Sequence, residues 1–257
     1  MVNLSSGKAK VRIEEGELVS YQVNDFEYIH QKGSPGWRNS DTEMFPVIGP
    51  TADAGFRVHV PRGNAIQDQH GLLRELDYEL LSSTGTTAQY VKSYKAGTVI
   101  NNSKFPDKST ARLLIWPFNF EFYKSFKLSE KSLEISFRIS GEKDMPFMLG
   151  YHPAYKLYTD KPTVIAENQT ISLDSVLAAG SRALEVADCQ SIVLKDQKKL
   201  SIKTEGFSHF MLWTEVPNMI CIEPITFYPY AVDQMQLHDG FDYLTDEDRN
   251  FKVTLIP

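Results

Sequence analysis

Four short segments carry polar side chains beside glycine, proline or aromatic residues, the setting in which chemistry is done rather than packed away. They are Gly36-Trp37-Arg38 leading to Phe45-Pro46-Val47-Ile48-Gly49, Gln69-His70-Gly71-Leu72-Leu73-Arg74, Leu149-Gly150-Tyr151-His152-Pro153-Ala154-Tyr155, and Cys221-Ile222-Glu223-Pro224. His152 is held toward an extended backbone by Pro153, and Gly150 leaves room for a ligand or another backbone. Histidine can both give and take a proton near neutral pH. The competing reading of His152 is a core histidine satisfied by a backbone carbonyl. Glu223 ends an apolar run, Met219-Ile220-Cys221-Ile222, where an unpaired carboxylate is unusual. Burial there would raise its pKa and make it a better base; a surface charge at a strand end is the alternative. His70 is loop-like, and Arg74 follows it by four residues with Glu75 and Asp77 close behind. The alternatives are a solvated loop side chain for His70 and a structural ion pair for Arg74. Arg38 beside Trp37 suits sugar stacking and plain loop packing alike. His30, His59, His209 and His238 stand in no such context.

The elements that must position these groups read as strands. Leu133-Glu134-Ile135-Ser136-Phe137-Arg138-Ile139 alternates apolar and polar residues, which turns one face to a core. Phe118–Phe122 does the same, and 128–132 between them reads as a hairpin connection. Residues 10–13, 88–95, 191–194, 200–204, 210–214, 219–222 and 251–256 are further strand candidates. Helical spacing is scarce, with room for a turn or two at 172–178. Many short strands with frequent turn signals predict an all-β sandwich or barrel. No internal repeat or linker interrupts the chain, so residues 1–257 read as a single domain.

Composition limits the partners. The 257 residues are 42% hydrophobic and 23% charged with a formal net charge of −6. Basic clusters are short, which argues against nucleic acid or an anionic membrane as partner. No apolar run approaches the roughly 20 residues that span a bilayer, and the N-terminus lacks an apolar signal region; the expected location is the cytoplasm. Cys189 and Cys221 are too few for a disulfide framework and read as reduced thiols. No closely spaced His/Cys/Asp/Glu cluster, glycine-rich phosphate loop or Gly-x-Ser-x-Gly elbow is present in the sequence, so neither metal nor cofactor is expected.

The four segments, in this order, resemble the aldose 1-epimerase (galactose mutarotase-like) superfamily, above all its shorter bacterial branch and the hexose-6-phosphate mutarotases. The resemblance rests on Arg38 seven residues before Phe45-Pro46, on His70-Gly71-Leu72-Leu73-Arg74, on Gly150 through Tyr155, and on Glu223-Pro224. It extends over about residues 10 to 256. There are departures. Ile225 stands where the branch often has Trp, and Ser140-Gly141 where it often has Asn. An aspartate that holds sugar hydroxyls in the larger members has no clear counterpart, with Asp174, Asp188 and Asp196 as candidates.

The resemblance implies a large antiparallel β-sandwich, the galactose mutarotase-like supersandwich, with a concave sheet that holds a sugar. It implies an isomerase that interconverts the α and β anomers of a hexose or hexose 6-phosphate by ring opening and reclosure. Glu223 would be the base at the anomeric hydroxyl, His152 the acid at the ring oxygen, and His70 a hydrogen-bonding partner of the ring oxygen or a neighbouring hydroxyl. The acid and base are expected on opposite sides of the sugar ring. Arg38 and Arg74 at one rim would suit a phosphate, since guanidinium makes bidentate contacts to it; alternatively one holds a sugar hydroxyl and the other braces the site through Glu75 or Asp77. The partner is then a small sugar or sugar phosphate, bound by a monomer or weak dimer. A non-catalytic carbohydrate-binding protein on the same sandwich is the rival reading, although pure binding needs no acid and base. A glycosidase would need two carboxylates at a set separation, and the motif segments offer one.

Overall fold

The computed structural model describes residues 1–257 apart from Asn168 and the side chain of Asn64. Antiparallel pairing dominates. A nine-stranded sheet runs in the order Gln169–Ser172, Thr163–Ala166, Ser191–Lys195, Lys199–Glu205, Arg249–Ile256, Leu133–Gly141, Phe120–Leu128, Thr87–Tyr94, Glu79–Ser83. A six-stranded sheet runs Leu184–Val186, His209–Trp213, Met219–Ile225, Gly150–Tyr151, Glu43–Met44, with Ala154–Lys156 also paired to Met219–Ile225. Four strands between Val2 and Glu27 form a further sheet at the N-terminus. Among the described residues no helix is long and apolar enough to cross a membrane.

The period-two pattern sets which face of each strand is buried. Leu133, Ile135, Phe137 and Ile139 alternate with half-exposed neighbours, and Phe251, Val253 and Leu255 do the same beside them. The inner faces of the two large sheets meet through aromatic side chains. Phe45 lies 4.9 Å from Phe120 and 5.4 Å from Phe122 between ring centres, and Tyr151 lies 5.1 Å from Phe137. The hairpin expected at 128–132 is closed by the Ser129 N–H donating to the Ser132 carbonyl at 2.9 Å. The one α-helix among the described residues, Leu173–Ala179, starts at Ser172, whose hydroxyl accepts from the Ser175 N–H as an N-cap.

Two local readings need correction. The apolar strand does not stop before Glu223; it continues through Pro224 to Ile225, and all seven of its residues are buried. Proline reads as a strand terminator because it cannot donate to a ladder. On this side, however, the ladder is already interrupted: Ile225 pairs with Gly150 and Cys221 with Ala154. Gly150 makes room for neither ligand nor backbone. A Cβ there would come within 2.3 Å of the Met44 methyl and 3.2 Å of Ile225.

Charged side chains break the apolar rule at inward positions of two adjacent strands, Lys92 in Thr87–Tyr94 and Lys124 in Phe120–Leu128. In Phe120–Leu128 the buried face reads Phe120, Phe122, Lys124, Phe126, Leu128. The Lys124 ammonium crosses to the other sheet and meets Asp41 Oδ2 at 2.8 Å and Glu43 Oε1 at 2.6 Å, with all three side chains at most 2% exposed. Asp41 also accepts from the Leu18 N–H at 3.0 Å and the Tyr151 hydroxyl at 2.7 Å. Burial alone would lower the Lys124 pKa, but Asp41 and Glu43 outweigh it and hold the ammonium charged. Burial pushes Asp41 up to about 6 against the pull of Lys124, with Glu43 adding to the rise.

Removing one member of a buried ion cluster leaves the others uncompensated. Lys124→Met is therefore expected to lower stability by about 3–5 kcal/mol, read from the shift in urea midpoint. Adding Asp41→Asn and Glu43→Gln should restore most of the loss. An unchanged midpoint in the single variant would show that the cluster does not hold the sheets together.

Candidate active site

The six-stranded sheet aligns four side chains across its strands. Tyr151 pairs with Glu43, and the next residues continue the register: the Thr42 N–H donates to the His152 carbonyl at 3.1 Å and the His152 N–H to the Thr42 carbonyl at 2.8 Å. On the other side, Gly150 is opposite Ile225 and Ala154 opposite Cys221, so position 152 falls opposite Glu223. Glu223 in turn is paired with Met211. Directly opposed residues point to the same face, with Cβ atoms about 5 Å apart. Thr42, His152, Glu223 and Met211 accordingly line one cleft of about 650 Å³.

His152 Nε2 lies 3.3 Å from Glu223 Oε1, and the two side chains are 7% and 2% exposed. The imidazole is stacked on Trp37, 4.3 Å between centres, and meets the edge of Trp213 at 6.0 Å. The two side chains expected to be acid and base are thus side by side on one floor, not on opposite sides of a ring-sized gap. Contact between directly opposed strand positions leaves no room for a sugar ring between them.

His70 arrives from a loop laced to the segment after Arg38. The Phe45 N–H donates to the His70 carbonyl, the His70 N–H to the Ile48 carbonyl, and the Leu73 N–H to the Phe45 carbonyl, at 3.0–3.2 Å. Gly71 is required here: its φ is +71°, and a Cβ would sit 2.2 Å from the Phe45 carbonyl oxygen. The Phe-Pro and His-Gly segments are therefore one structural unit. His70 Nδ1 lies 2.7 Å from the Ile48 carbonyl oxygen. A carbonyl only accepts, so Nδ1 carries the proton and Nε2 of the neutral ring is left as an acceptor. The ring centres of His70 and His152 are 5.7 Å apart.

The aldose 1-epimerase family profile matches residues 6–217. The chain belongs to the aldose 1-epimerase family. Glu223 lies just past the matched segment. Protein LacX of Lactococcus lactis subsp. lactis, chromosomally encoded, is 23% identical over 210 residues, a match covering 76% of this chain and 64% of LacX; the chain thus matches less than two thirds of that relative's length. Among solved structures, a galactose mutarotase-like protein from Lactobacillus casei ATCC 334 superimposes with a TM-score of 0.81 at 17% identity, covering 100% of this chain and 99% of that one. A galactose mutarotase related enzyme from Lactobacillus acidophilus gives 0.76 at 18% identity, with 99% and 96% coverage. These likenesses establish the antiparallel sandwich as the fold that this aldose 1-epimerase family member shares with them.

All five residues singled out from the sequence of this family member, His70, His152, Glu223, Arg38 and Arg74, line the same cleft. Arg38 is exposed at the rim. Arg74 lies deeper, its Nε buried without a partner, and among the described residues it makes no salt bridge. Glu75, offered from the sequence as its brace, instead accepts from the Ser103 hydroxyl at 2.9 Å. None of Asp174, Asp188 and Asp196 lines the cleft; Asp196 accepts the Tyr158 and Thr159 N–H groups at 2.6 and 3.0 Å. The carboxylates that do line it are Glu75, Glu215 and Glu223. Sequence reading missed Lys104, Lys108, Arg182 and Trp213 on the cleft wall; Lys104 and Lys108 are in turns and Arg182 ends a three-residue 3-10 helix, all too short for a periodic signal. It also missed that Cys221 lies against this pair: its Sγ, a His152 ring nitrogen and a Glu223 oxygen all lie within 4.8 Å of one another.

Burial raises Glu223 well above the ordinary carboxylate range, opposed by Arg74. Burial, joined by Arg74, pushes His152 down to about 3. His70 is driven well below its ordinary value by burial, then by Arg74, His152 and Lys104. Burial thus favours the uncharged form of both partners: a neutral imidazole, and a carboxyl that keeps its proton to higher pH than a free one. His152 binds its proton less readily folded than unfolded, where imidazole titrates near ~6.5. The unfolded chain thus carries the extra proton between about pH 3 and ~6.5, and this contribution makes the fold more stable as pH rises through that window. The ¹⁵N shifts of His152 are expected to report a neutral ring at pH 5 in the sugar-free protein. A titration midpoint between ~6 and ~7, the ordinary imidazole range, would contradict the buried, cation-flanked site.

Proposed function

We propose that this chain is a mutarotase that interconverts the α and β anomers of a hexose carrying an anionic group, of which hexose 6-phosphate is the type. What carries the reading is the contact of His152 Nε2 and Glu223 Oε1 at 3.3 Å on the floor of the cleft. The hydroxyl oxygen and ring oxygen of a cyclic hexose are bonded to one anomeric carbon. An acid and a base that serve those two oxygens must themselves be neighbours, which the pair is. Glu223 takes the proton of the anomeric hydroxyl while His152 donates to the ring oxygen. The C1–O5 bond breaks, the aldehyde rotates about C1–C2, and reversal of the proton transfers closes the ring on the other face.

The resting pair and the working pair have the same number of protons. Transfer from the Glu223 carboxyl to His152 converts the neutral pair into carboxylate and imidazolium, the base and acid that ring opening needs. His70, neutral with its proton committed to Ile48, accepts from a sugar hydroxyl through Nε2. That favours the hydroxyl over the ring oxygen as its partner.

Charge supports the anionic substrate. The protein carries a net −6, yet Arg38, Arg74, Lys104, Lys108 and Arg182 face the cleft against three glutamates. A cleft of one sign within a protein of the other raises the local concentration of oppositely charged ligand. Arginine at the rim suits the fork geometry of phosphate. In this reading residues 1–257 form one cytoplasmic domain, a monomer or weak dimer that uses no cofactor and binds neither nucleic acid nor membrane.

Glu223→Gln and His152→Ala are each expected to slow anomer exchange by about 10²–10⁴-fold while the fold persists, measured by exchange NMR on glucose 6-phosphate. Near-normal exchange in either folded variant would refute the assignment. Sugar binding without exchange by the unmodified protein would favour the binding-protein reading instead. Arg38→Ala should raise KM for glucose 6-phosphate by roughly tenfold, the worth of one charge-assisted hydrogen bond, and leave KM for glucose nearly unchanged. An equal effect on both sugars would remove Arg38 from phosphate recognition.

A further inference from the structure

Against the pair of His152 and Glu223 lies a third reactive side chain that the proposed sugar isomerisation does not use. Cys221 is two residues before Glu223 on the same strand, so both side chains point to one face of the sheet. It is wholly buried, packed with Ala154 and Met219 under Trp37 and Trp213. With His152 and Glu223 it completes a sulfur, nitrogen and oxygen donor set whose atoms lie within 4.8 Å of one another.

That set has the chemistry and the scale of a zinc-class site. Zinc binds Cys, His and carboxylate at about 2.0–2.3 Å in tetrahedral geometry, which puts neighbouring donors roughly 3.3–3.6 Å apart. The separation of His152 Nε2 and Glu223 Oε1 is 3.3 Å, already one such edge. Cys221 Sγ lies within 4.8 Å of the nitrogen and oxygen donors. Three protein donors leave one position of a tetrahedral ion for water. A thiolate in the set selects zinc or cobalt over magnesium and calcium, which prefer oxygen ligands alone.

The surroundings fit an exchangeable ion better than a resident one. A histidine that holds a permanent metal normally donates its other ring N–H to an outer acceptor. His152 Nδ1 is buried without a partner. The donor atoms that would hold the ion are also those assigned above to the anomeric hydroxyl and ring oxygen, so ion and sugar cannot be bound together.

We propose that Cys221, His152 and Glu223 form an exchangeable site for a zinc-class divalent cation that binds in competition with the sugar. The existence of the site stands on geometry; its competition with sugar rests on the mutarotase reading. Cobalt(II) added to the metal-free, full-length protein is the probe. The expected result is a near-ultraviolet thiolate-to-cobalt charge-transfer band with intensified visible bands of four-coordinate cobalt, both removed by zinc. Cys221→Ser and Cys221→Ala should each abolish the charge-transfer band and weaken zinc binding by more than the ~10–100-fold that loss of an outer-shell partner costs. Cys189→Ser, which alters the other buried thiol, should leave the band intact. Absence of the band in the unmodified protein, or its loss with Cys189 rather than Cys221, overturns the site. In the exchange assay, zinc should raise the apparent KM for glucose 6-phosphate and leave kcat unchanged, whereas a fall in kcat at constant KM overturns the competition. A protein that shows the cobalt band but exchanges no anomer retains the metal site and loses the catalytic reading; exchange without the band does the reverse.

Discussion

An ammonium group buried between two sheets must be met by negative charge, and at Lys124 both carboxylates come from one short stretch of the opposite sheet. Asp41 and Glu43 flank Thr42, and a strand alternates its side chains. Once Asp41 and Glu43 are drawn inward to Lys124, Thr42 is turned to the outer face, where its backbone bonds His152 in both directions. Tyr151, next to His152, is tied to the same Asp41 by its hydroxyl. The imidazole is thus oriented from both sides by an ion cluster it never touches. A slip of one residue in this register would turn His152 into the core and Tyr151 into the cleft. Buried ion pairs contribute little net stability but are costly to leave half-formed, which suits a device that fixes register.

Arg74 acts on the outer face as Lys124 does on the inner. It favours the ionised form of Glu223 and disfavours protonation of both His70 and His152. Burial works with Arg74 at the histidines and against it at the glutamate. The outcome is a neutral imidazole and a carboxyl with a raised pKa, close to a fixed positive charge that has no salt-bridge partner among the described residues. Such a charge is well placed to meet an anion arriving through the rim where Arg38 and Lys108 are exposed. Lys104 is less free for that purpose, since it bonds the Gln69 carbonyl at 2.8 Å and lies 3.5 Å from Asp68.

The strands were legible because alternation is a local signal. Leu133–Ile139 and Phe251–Ile256 need nothing beyond their own residues to show a buried face. Lys124 was not legible: the alternation read at Phe118–Phe122 stops short of it, whereas the strand runs Phe120–Leu128, and its partners are far upstream where no local rule names them. The motif residues were assembled by resemblance, not by periodicity. Their adjacency in space, tighter than expected for His152 and Glu223, depends on a register that joins distant segments. Lys104, Lys108 and Arg182 gave no signal because turns and a three-residue 3-10 helix are too short to show a period. Cys221 is a buried strand thiol; that it faces the same side as Glu223 follows from their spacing of two, but only the neighbouring strand brings His152 to them.

The two prolines at the site explain why this arrangement is stable in the middle of a sheet. Proline lacks an N–H and is confined to places where the ladder does not require one. Pro153 falls between the paired stretches Gly150–Tyr151 and Ala154–Lys156, and Pro224 is within the facing interval between Cys221 and Ile225. Both therefore occupy the same gap in the pairing. Across that gap the strands remain in register because each is held from outside: His152 by Thr42, and Glu223 by its pairing with Met211. An unbroken ladder would have tied these backbones together without any need for proline. The break, flanked by residues that cannot donate, opens the sheet at the one row where a histidine and a glutamate face each other, and it does so without leaving at either proline a buried N–H in need of a partner.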